Sequence, residues 1–374
     1  MRQRIIHLIA AARPNFMKIA PLYHALNRDS ELSPVIIHTG QHYDINMSDV
    51  FFQDLDMPAP DIHLGVGSGT HAQMTAQVMT AYEEVLDTNK PDLIIVVGDV
   101  NSTMAVTLTA SKLGLPIAHL EAGLRSYDRS MPEEINRVVT DSLAEILWTP
   151  SPDADENLAK EGIPSSKVHR VGNIMIDSLE RLRPRIENEL IYQKFGFERH
   201  AYGVVTIHRP VNVDDPAVLE KVCAVLKRVS AKIPLVFPVH PRTSKNIQKH
   251  GFWEALLNAP GLTLIDPLSY IQFMNLVFNC RLVLTDSGGI QEETTYVGIP
   301  CLTLRENTER PITVAQGTNR LCSWENVEQY VDDILGSESH TPHAAPDLWD
   351  GSTSSRVLQS LREFFARSER GTTG

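Results

Sequence analysis

Short apolar runs of strand length punctuate the chain: Ile5–Ala11, Val35–His38, Leu93–Val97 and Ile117–Leu120, then Gly203–Ile207, Leu235–Val239, Leu262–Ile265, Leu282–Leu284 and Cys301–Leu304. Between them apolar residues return with a helical period, so the pattern predicts strands alternating with helices. Near-continuous apolar strands in such an alternation belong to parallel, doubly wound sheets covered on both faces, an α/β fold. Val168–Gly172 reads as the last strand of a first half, and the charged stretch Glu180–Glu198 as a helix leading to a fresh strand at Gly203. The expected boundary lies near residue 178, with one domain over 1–178 and a second over 179–352. After Leu321 the pattern gives a helix over Glu325–Gly336, a Ser-, His-, Pro- and Asp-rich loop, and a final amphipathic helix from about Ser354 to Ala366. Open α/β sheets bind ligands beyond the carboxyl ends of their strands, so the active site is expected in a cleft where the two domains face each other.

Length agrees with two domains, because 374 residues exceed what one core usually serves. No apolar run approaches the ~20 residues that cross a bilayer, so no membrane contact is expected. The opening Met-Arg-Gln-Arg leads straight into the first strand pattern, which predicts no export signal. The four cysteines are dispersed, with no Cys-x-x-Cys pair; a disulfide framework and a structural zinc site are not expected, and the cytoplasm is the expected compartment. A net charge of −12 disfavours nucleic acid and leaves small-molecule chemistry.

Candidate chemistry gathers at strand ends. Asp286-Ser287-Gly288-Gly289 joins a strand to a helix that continues to Glu293, and the unpaired N–H groups of that helix start suit phosphate oxygens. Glu293 is placed to accept from ribose hydroxyls. The plainer reading is a helix capped by Ser287, with the glycines as a tight turn. Arg13 and Lys18 follow the first strand and suggest a second anion grip. Arg310, within Arg305-Glu306-Asn307-Thr308-Glu309-Arg310-Pro311, suggests a third, unless it forms only an Arg-Glu surface pair.

In the first half Asp99 ends one strand and Glu121 another. Glu133 opens a helix at Pro132-Glu133-Glu134-Ile135-Asn136-Arg137, with Arg137 on its face. A single Glu there would serve the helix dipole, but three grouped carboxylates raise at least one pKa and supply both an acid and a base. His208-Arg209 and His240-Pro241-Arg242 each put a histidine after an apolar strand. His7, His38, His63, His71 and His169 are read as packing, capping or surface groups. No metal or cofactor is expected: there is no Gly-x-Gly-x-x-Gly at the first junction, no Walker lysine and no His-Glu-x-x-His.

Taken together, Arg13-Pro14…Lys18, Gly98-Asp99, His119-Leu120-Glu121-Ala122-Gly123-Leu124-Arg125, Pro132 to Arg137, His208-Arg209, Asp286 to Glu293 and Thr308-Glu309-Arg310-Pro311 closely resemble the non-hydrolysing UDP-N-acetylglucosamine 2-epimerases over almost the whole chain. The resemblance implies a glycosyltransferase-B-like fold of two Rossmann-like domains, with the last helix, about 353–370, packed back on the first. It also implies reversible conversion of UDP-GlcNAc to UDP-ManNAc through expulsion of UDP and a 2-acetamidoglucal, supplying a surface-polysaccharide precursor. Carried over by position, Asp99, Glu121, Glu133 and His208 are catalytic. Arg13, Lys18, Ser287, Gly288, Gly289 and Arg310 hold the diphosphate, Glu293 the ribose, and the main chain around Leu268 and Phe273 the uracil, with Arg137 and His240 in support. The expected partners are the UDP-sugar and a second copy of the chain in a homodimer. Val211 stands where many members carry a glutamate, and Gln41-His42-Tyr43 departs from a run that binds an allosteric UDP-sugar. The N-terminal pattern also resembles relatives acting on UDP-2,3-diacetamido-glucuronic acid. A glycosyltransferase of the same fold, a hydrolysing epimerase and a non-catalytic UDP-sugar binder are the rival readings.

Overall fold

The computed structural model describes residues 3–40, 52, 54–337 and 344–371. The chain forms two compact units, Met1–Arg181 with Asp347–Gly374, and Leu182–Pro346. The switch between them falls inside the helix Ile174–Asn188. That helix starts earlier than the charged stretch suggested, because Ile174, Ile176, Leu179 and Leu182 give it a buried face of helical period.

The first unit is a parallel sheet with described strand order β3-β2-β1-β4-β5-β6-β7. The strands are β1 (Arg4–Ala10), β2 (Leu32–His38), β3 (Ile62–His63), β4 (Leu93–Val97), β5 (Ile117–Leu120), β6 (Ile146–Thr149) and β7 (Val168–Arg170). Every residue of β4, β5 and β6 is buried, as expected of central strands with helices on both faces. Leu8 lies opposite Ile95, and Val97 opposite Leu120, so the carboxyl ends of β1, β4 and β5 finish at one level. The order reverses between β1 and β4, the place where open sheets leave a crevice for ligand.

The last helix, Thr353–Gly371, packs on this unit, as expected. Its first turn is capped by Asp177, which accepts from Thr353 N at 3.0 Å and Ser354 N at 2.7 Å. Buried Trp148 Nε1 donates to Ser360 Oγ at 3.0 Å.

The second unit is a parallel sheet with described order β10-β9-β8-β11-β12-β13: β8 (Gly203–Thr206), β9 (Leu235–Pro238), β10 (Leu262–Ile265), β11 (Leu282–Thr285), β12 (Cys301–Leu304) and β13 (Asn319–Cys322). Val205, Phe237, Leu284 and Leu302 belong to one core with Leu219, Leu226 and Val229 of the helix Pro216–Ser230. Here the order reverses between β8 and β11, so the loops after Thr206 and Thr285 flank the switch point. The buried cysteines are free thiols. Among the described residues no helix is long and apolar enough to cross a membrane.

Candidate active site

In the first unit, the segments after β1, β4 and β5 carry the acidic groups. Gly98 follows β4 at φ +65, a conformation that favours glycine, and a Cβ there would stand 3.0 Å from Lys18 Nζ. The strand end is tied to the helix Arg13–Leu26 by Asn15, which donates to Val97 O at 3.1 Å and accepts from Ala12 N at 2.9 Å. One turn on, buried Lys18 donates to Glu121 Oε2 at 2.5 Å. Glu121 adopts φ +69, a strained setting for a side chain of its size. Its Oε1 is buried and has no hydrogen-bond partner among the described residues.

Asp99 is paired with Arg137. Arg137 also donates to Glu134 Oε2, from Nε at 3.1 Å and from Nη2 at 2.9 Å. The carboxylate facing Arg137 on the helix Pro132–Leu143 is therefore Glu134, not Glu133 as the sequence suggested. Glu134 is buried and also accepts from Ser126 N, Ser126 Oγ and Tyr127 N at 2.9, 3.0 and 2.9 Å. Burial pulls its pKa upward, but these bonds and the Arg137 charge hold it below the ordinary carboxylate range. Glu133 is exposed and lines a cavity of about 310 Å³ together with Asp99, Asn101, Asn136, His71 and Ser68. Asn136 donates to Asp99 O at 2.8 Å and to Asn101 Oδ1 at 3.3 Å, and Asn101 Nδ2 donates to His71 Nδ1 at 3.0 Å. His71, read from sequence as a packing, capping or surface group, is thus part of the cavity wall.

In the second unit, Asp286 is fully buried. It accepts from His208 N at 3.1 Å, Arg209 N at 2.9 Å and Asn212 Nδ2 at 3.0 Å, and His208 Nδ1 lies 3.1 Å away. Burial raises its pKa, but the bonds from His208 and Asn212 and the His208 charge more than offset that, holding the carboxylate ionised. Asp286 therefore braces the His208 loop and is itself no phosphate grip. His240 lies 5.5 Å from His208 between ring centroids and caps the helix Pro241–Lys249, its Nδ1 accepting from Arg242 N at 3.2 Å. Burial first, then the charges of His208 and Arg242, lower the His240 pKa.

The glycine turn opens the helix Gly289–Val297, whose N-cap is Gly288 with no side-chain cap, so Ser287 does not cap it; the Ser287 N–H donates to Thr285 Oγ1 at 2.9 Å. A Cβ at Gly288 would lie 2.7 Å from Glu309 Oε1, whereas one at Gly289 meets nothing within 4 Å. Gly289 thus faces open space above the unpaired N–H groups of a helix start. Arg310 is buried against Glu309 at 2.5 Å and Glu292 at 3.0 Å, and Arg305 holds the other Glu309 oxygen at 2.8 Å. This is a buried cluster, not a surface pair. Burial would raise the Glu309 pKa, but the two guanidinium groups drive it far below the carboxylate range. Glu293 is buried and accepts from Tyr270 Oη at 2.6 Å; burial pushes its pKa up to about 7, and neighbouring Glu292 adds to the rise. Phe273 N is bonded to Ser269 O at 2.9 Å inside the helix Tyr270–Asn279, and Leu268 lines a separate cavity of about 420 Å³ with Trp253 and Asp266.

The structure thus assembles Lys18 with Glu121, and Asp99 with Arg137 and Glu133, in the first unit. It assembles His208 with His240, and Gly288 with Arg310, in the second. The side chain of Arg13 and the run Gln41-His42-Tyr43 lie outside the described residues. Sequence reading missed Glu134, Asn15 and Tyr270. Only Glu134 had a legible signal, its three-residue spacing from Arg137.

Two parallel sheets of Rossmann type, one with a carboxylate cluster and one with an anion-ready glycine turn at the switch point, define a glycosyltransferase-B-like α/β enzyme class. Residues 24–362 match the family model described as UDP-N-acetylglucosamine 2-epimerase, and the chain belongs to that family. It is 40% identical to the UDP-N-acetylglucosamine 2-epimerase of Methanocaldococcus jannaschii, over 84% of this chain and 87% of that one. It is also 40% identical to the UDP-2,3-diacetamido-2,3-dideoxy-D-glucuronate 2-epimerase of Pseudomonas aeruginosa, over 84% of this chain and 86% of that one. The crystal structure of the M. jannaschii UDP-GlcNAc 2-epimerase in complex with UDP-GlcNAc and UDP matches with a TM-score of 0.87 at 37% identity, covering 96% of this chain and 99% of that one.

Proposed function

We propose that the chain interconverts UDP-GlcNAc and UDP-ManNAc by eliminating and re-adding UDP. The C2–H of the sugar has no adjacent carbonyl to acidify it, so the anomeric C–O bond must weaken first. A base removes the C2 proton, the C1–C2 double bond forms, and the anomeric C–O bond breaks with its electron pair leaving on UDP. Re-addition of UDP at C1, with a proton delivered to C2 from the other face, gives the epimer. Two proton carriers are therefore needed.

The observation that carries this reading is the shared cavity of Asp99 and Glu133, in the same unit that holds Glu121 with one oxygen neutralised by Lys18 and the other unbonded. Arg137 and Asn136 fix Asp99 from the side chain and the main chain. In the second unit the Gly289 helix start and Arg310 supply donors for the diphosphate, and His208, with Nδ1 turned to Asp286, presents Nε2 to the leaving group. Incubation of UDP-GlcNAc with the protein in deuterated water, followed by NMR, tests the proposal. Partial conversion to UDP-ManNAc with deuterium at C2 is expected; an unchanged sugar that keeps its protium refutes it.

A second reading is favoured by the relationship to the P. aeruginosa enzyme, which is as close in identity as the M. jannaschii one. The same incubation with the diacetamido-glucuronate nucleotide decides it, since faster turnover there would make that sugar the substrate.

A further inference from the structure

His119 is fully buried two residues before Glu121. Its Nδ1 lies 2.6 Å from Asp141 Oδ1 and its Nε2 lies 2.9 Å from Gly98 O. Both neighbours are acceptors. A neutral imidazole has one N–H and one lone pair, so either tautomer would aim a lone pair at a carboxylate or at a carbonyl oxygen with no water to intervene. Only the doubly protonated ring satisfies both contacts.

The surroundings balance that charge. Asp141 also meets Arg125 Nη1 at 2.7 Å, and Arg125 grips Glu161 through two bonds of 2.7 Å, giving an alternating row His119, Asp141, Arg125, Glu161. The row touches both catalytic strand ends. Gly98 O belongs to the peptide that leads into Asp99, and Gly98 N donates to Leu120 O at 3.2 Å. Asp141 Oδ2 receives Gly123 N at 3.0 Å, in the loop that begins with the left-handed Glu121.

We propose that His119 is a buried imidazolium and a positioning residue, its two N–H groups clamping the Asp99 strand end and, through Asp141, the Glu121 loop into one rigid set. The clamp adds side-chain links between the ends of the adjacent strands β4 and β5, and it does so with charge-assisted bonds around a fully buried ring. Displacing either carboxylate by a fraction of an ångström would cost turnover with little effect on ground-state binding.

The inference rests on the epimerase reading, and its first test is independent of activity. Nitrogen-15 NMR of the histidine side chains in the full chain, with His119 assigned through its ring contacts to Gly98, should show both ring nitrogens protonated at neutral pH; a lone-pair nitrogen overturns the proposal. In the second test, His119→Gln can donate to only one of the two acceptors and should lower kcat by roughly 10²-fold, with KM and UDP affinity nearly unchanged. A folded variant with kcat within about threefold of the parent overturns the positioning role. If the parent itself does not epimerise UDP-GlcNAc, the functional reading fails while the NMR result still stands or falls alone.

Discussion

His208 turns Nδ1 toward Asp286 at 3.1 Å, and the same carboxylate receives the His208 main-chain N–H. One buried acceptor thus sets both the orientation of the imidazole and the path of its loop, with Nε2 on the ring's far side.

Removing that acceptor should therefore harm fold and site together. Asp286→Ala strands the N–H groups of His208, Arg209 and Asn212, each unsatisfied donor costing about 1–3 kcal/mol. Urea unfolding should show a loss of several kcal/mol, and calorimetry a loss of UDP affinity. Unchanged values in both would remove Asp286 from its bracing role.

Glu121→Gln keeps an acceptor oxygen for Lys18 Nζ and should reduce C2 proton exchange by ~10²–10⁴-fold, the range for loss of a general acid or base. Lys18→Met should do more, because it leaves Glu121 buried without its cation, a change worth about 3–5 kcal/mol of stability. Exchange measured by NMR and thermal unfolding measured side by side separate the two effects. Equal stability of Lys18→Met and the parent would contradict the pair.

The adjacent glycines should respond differently to alanine. At Gly288 the new Cβ displaces the buried Glu309–Arg310 pair, so both Tm and UDP affinity should fall. At Gly289 the fold gains up to about 1 kcal/mol of helix propensity, while UDP affinity drops if phosphate approaches there. A Gly289→Ala protein that binds UDP normally would move the phosphate elsewhere.

Glu293, with its pKa raised to about 7 by burial, gives a pH test. An acid whose folded pKa lies above its unfolded value favours folding fully below the unfolded value, and that contribution is lost as pH rises toward 7. Relative to Glu293→Gln, parent stability should fall across that window. Binding of UDP-GlcNAc should instead tighten as Glu293 ionises, because a ribose hydroxyl donates better to a carboxylate. Parallel pH curves for parent and variant would exclude Glu293 from ribose contact.

Central strands were legible in sequence because LIIVV and its like are short, wholly apolar runs, and β4, β5 and β12 run over the expected residues, as does β10 at a sheet edge. β6 escaped because ILWT follows Glu145 at once and has no turn signal before it; β13, NRLC, escaped because an edge strand alternates with polar residues. Within the site, strand-end placement marked Asp99 and Glu121 correctly as a neighbourhood. It did not say which of two adjacent glutamates turns inward, nor that Asp286 faces the His208 loop. Those directions depend on partners outside the local helix or strand pattern, the preceding loop at Ser126 for Glu134 and Asn212, 74 residues away, for Asp286.

The first unit is built from two stretches of chain separated by the whole of the second, and Asp177, Trp148 and Pro150 each wait for a partner beyond residue 346. During synthesis the order of assembly is thereby inverted. The sheet of the second unit, one continuous segment, can close first, whereas the sheet that bears Asp99 and Glu121 keeps an apolar flank open until Trp349 and the helix Thr353–Gly371 emerge. A nascent chain can thus complete its second sheet while the first still lacks its last helix.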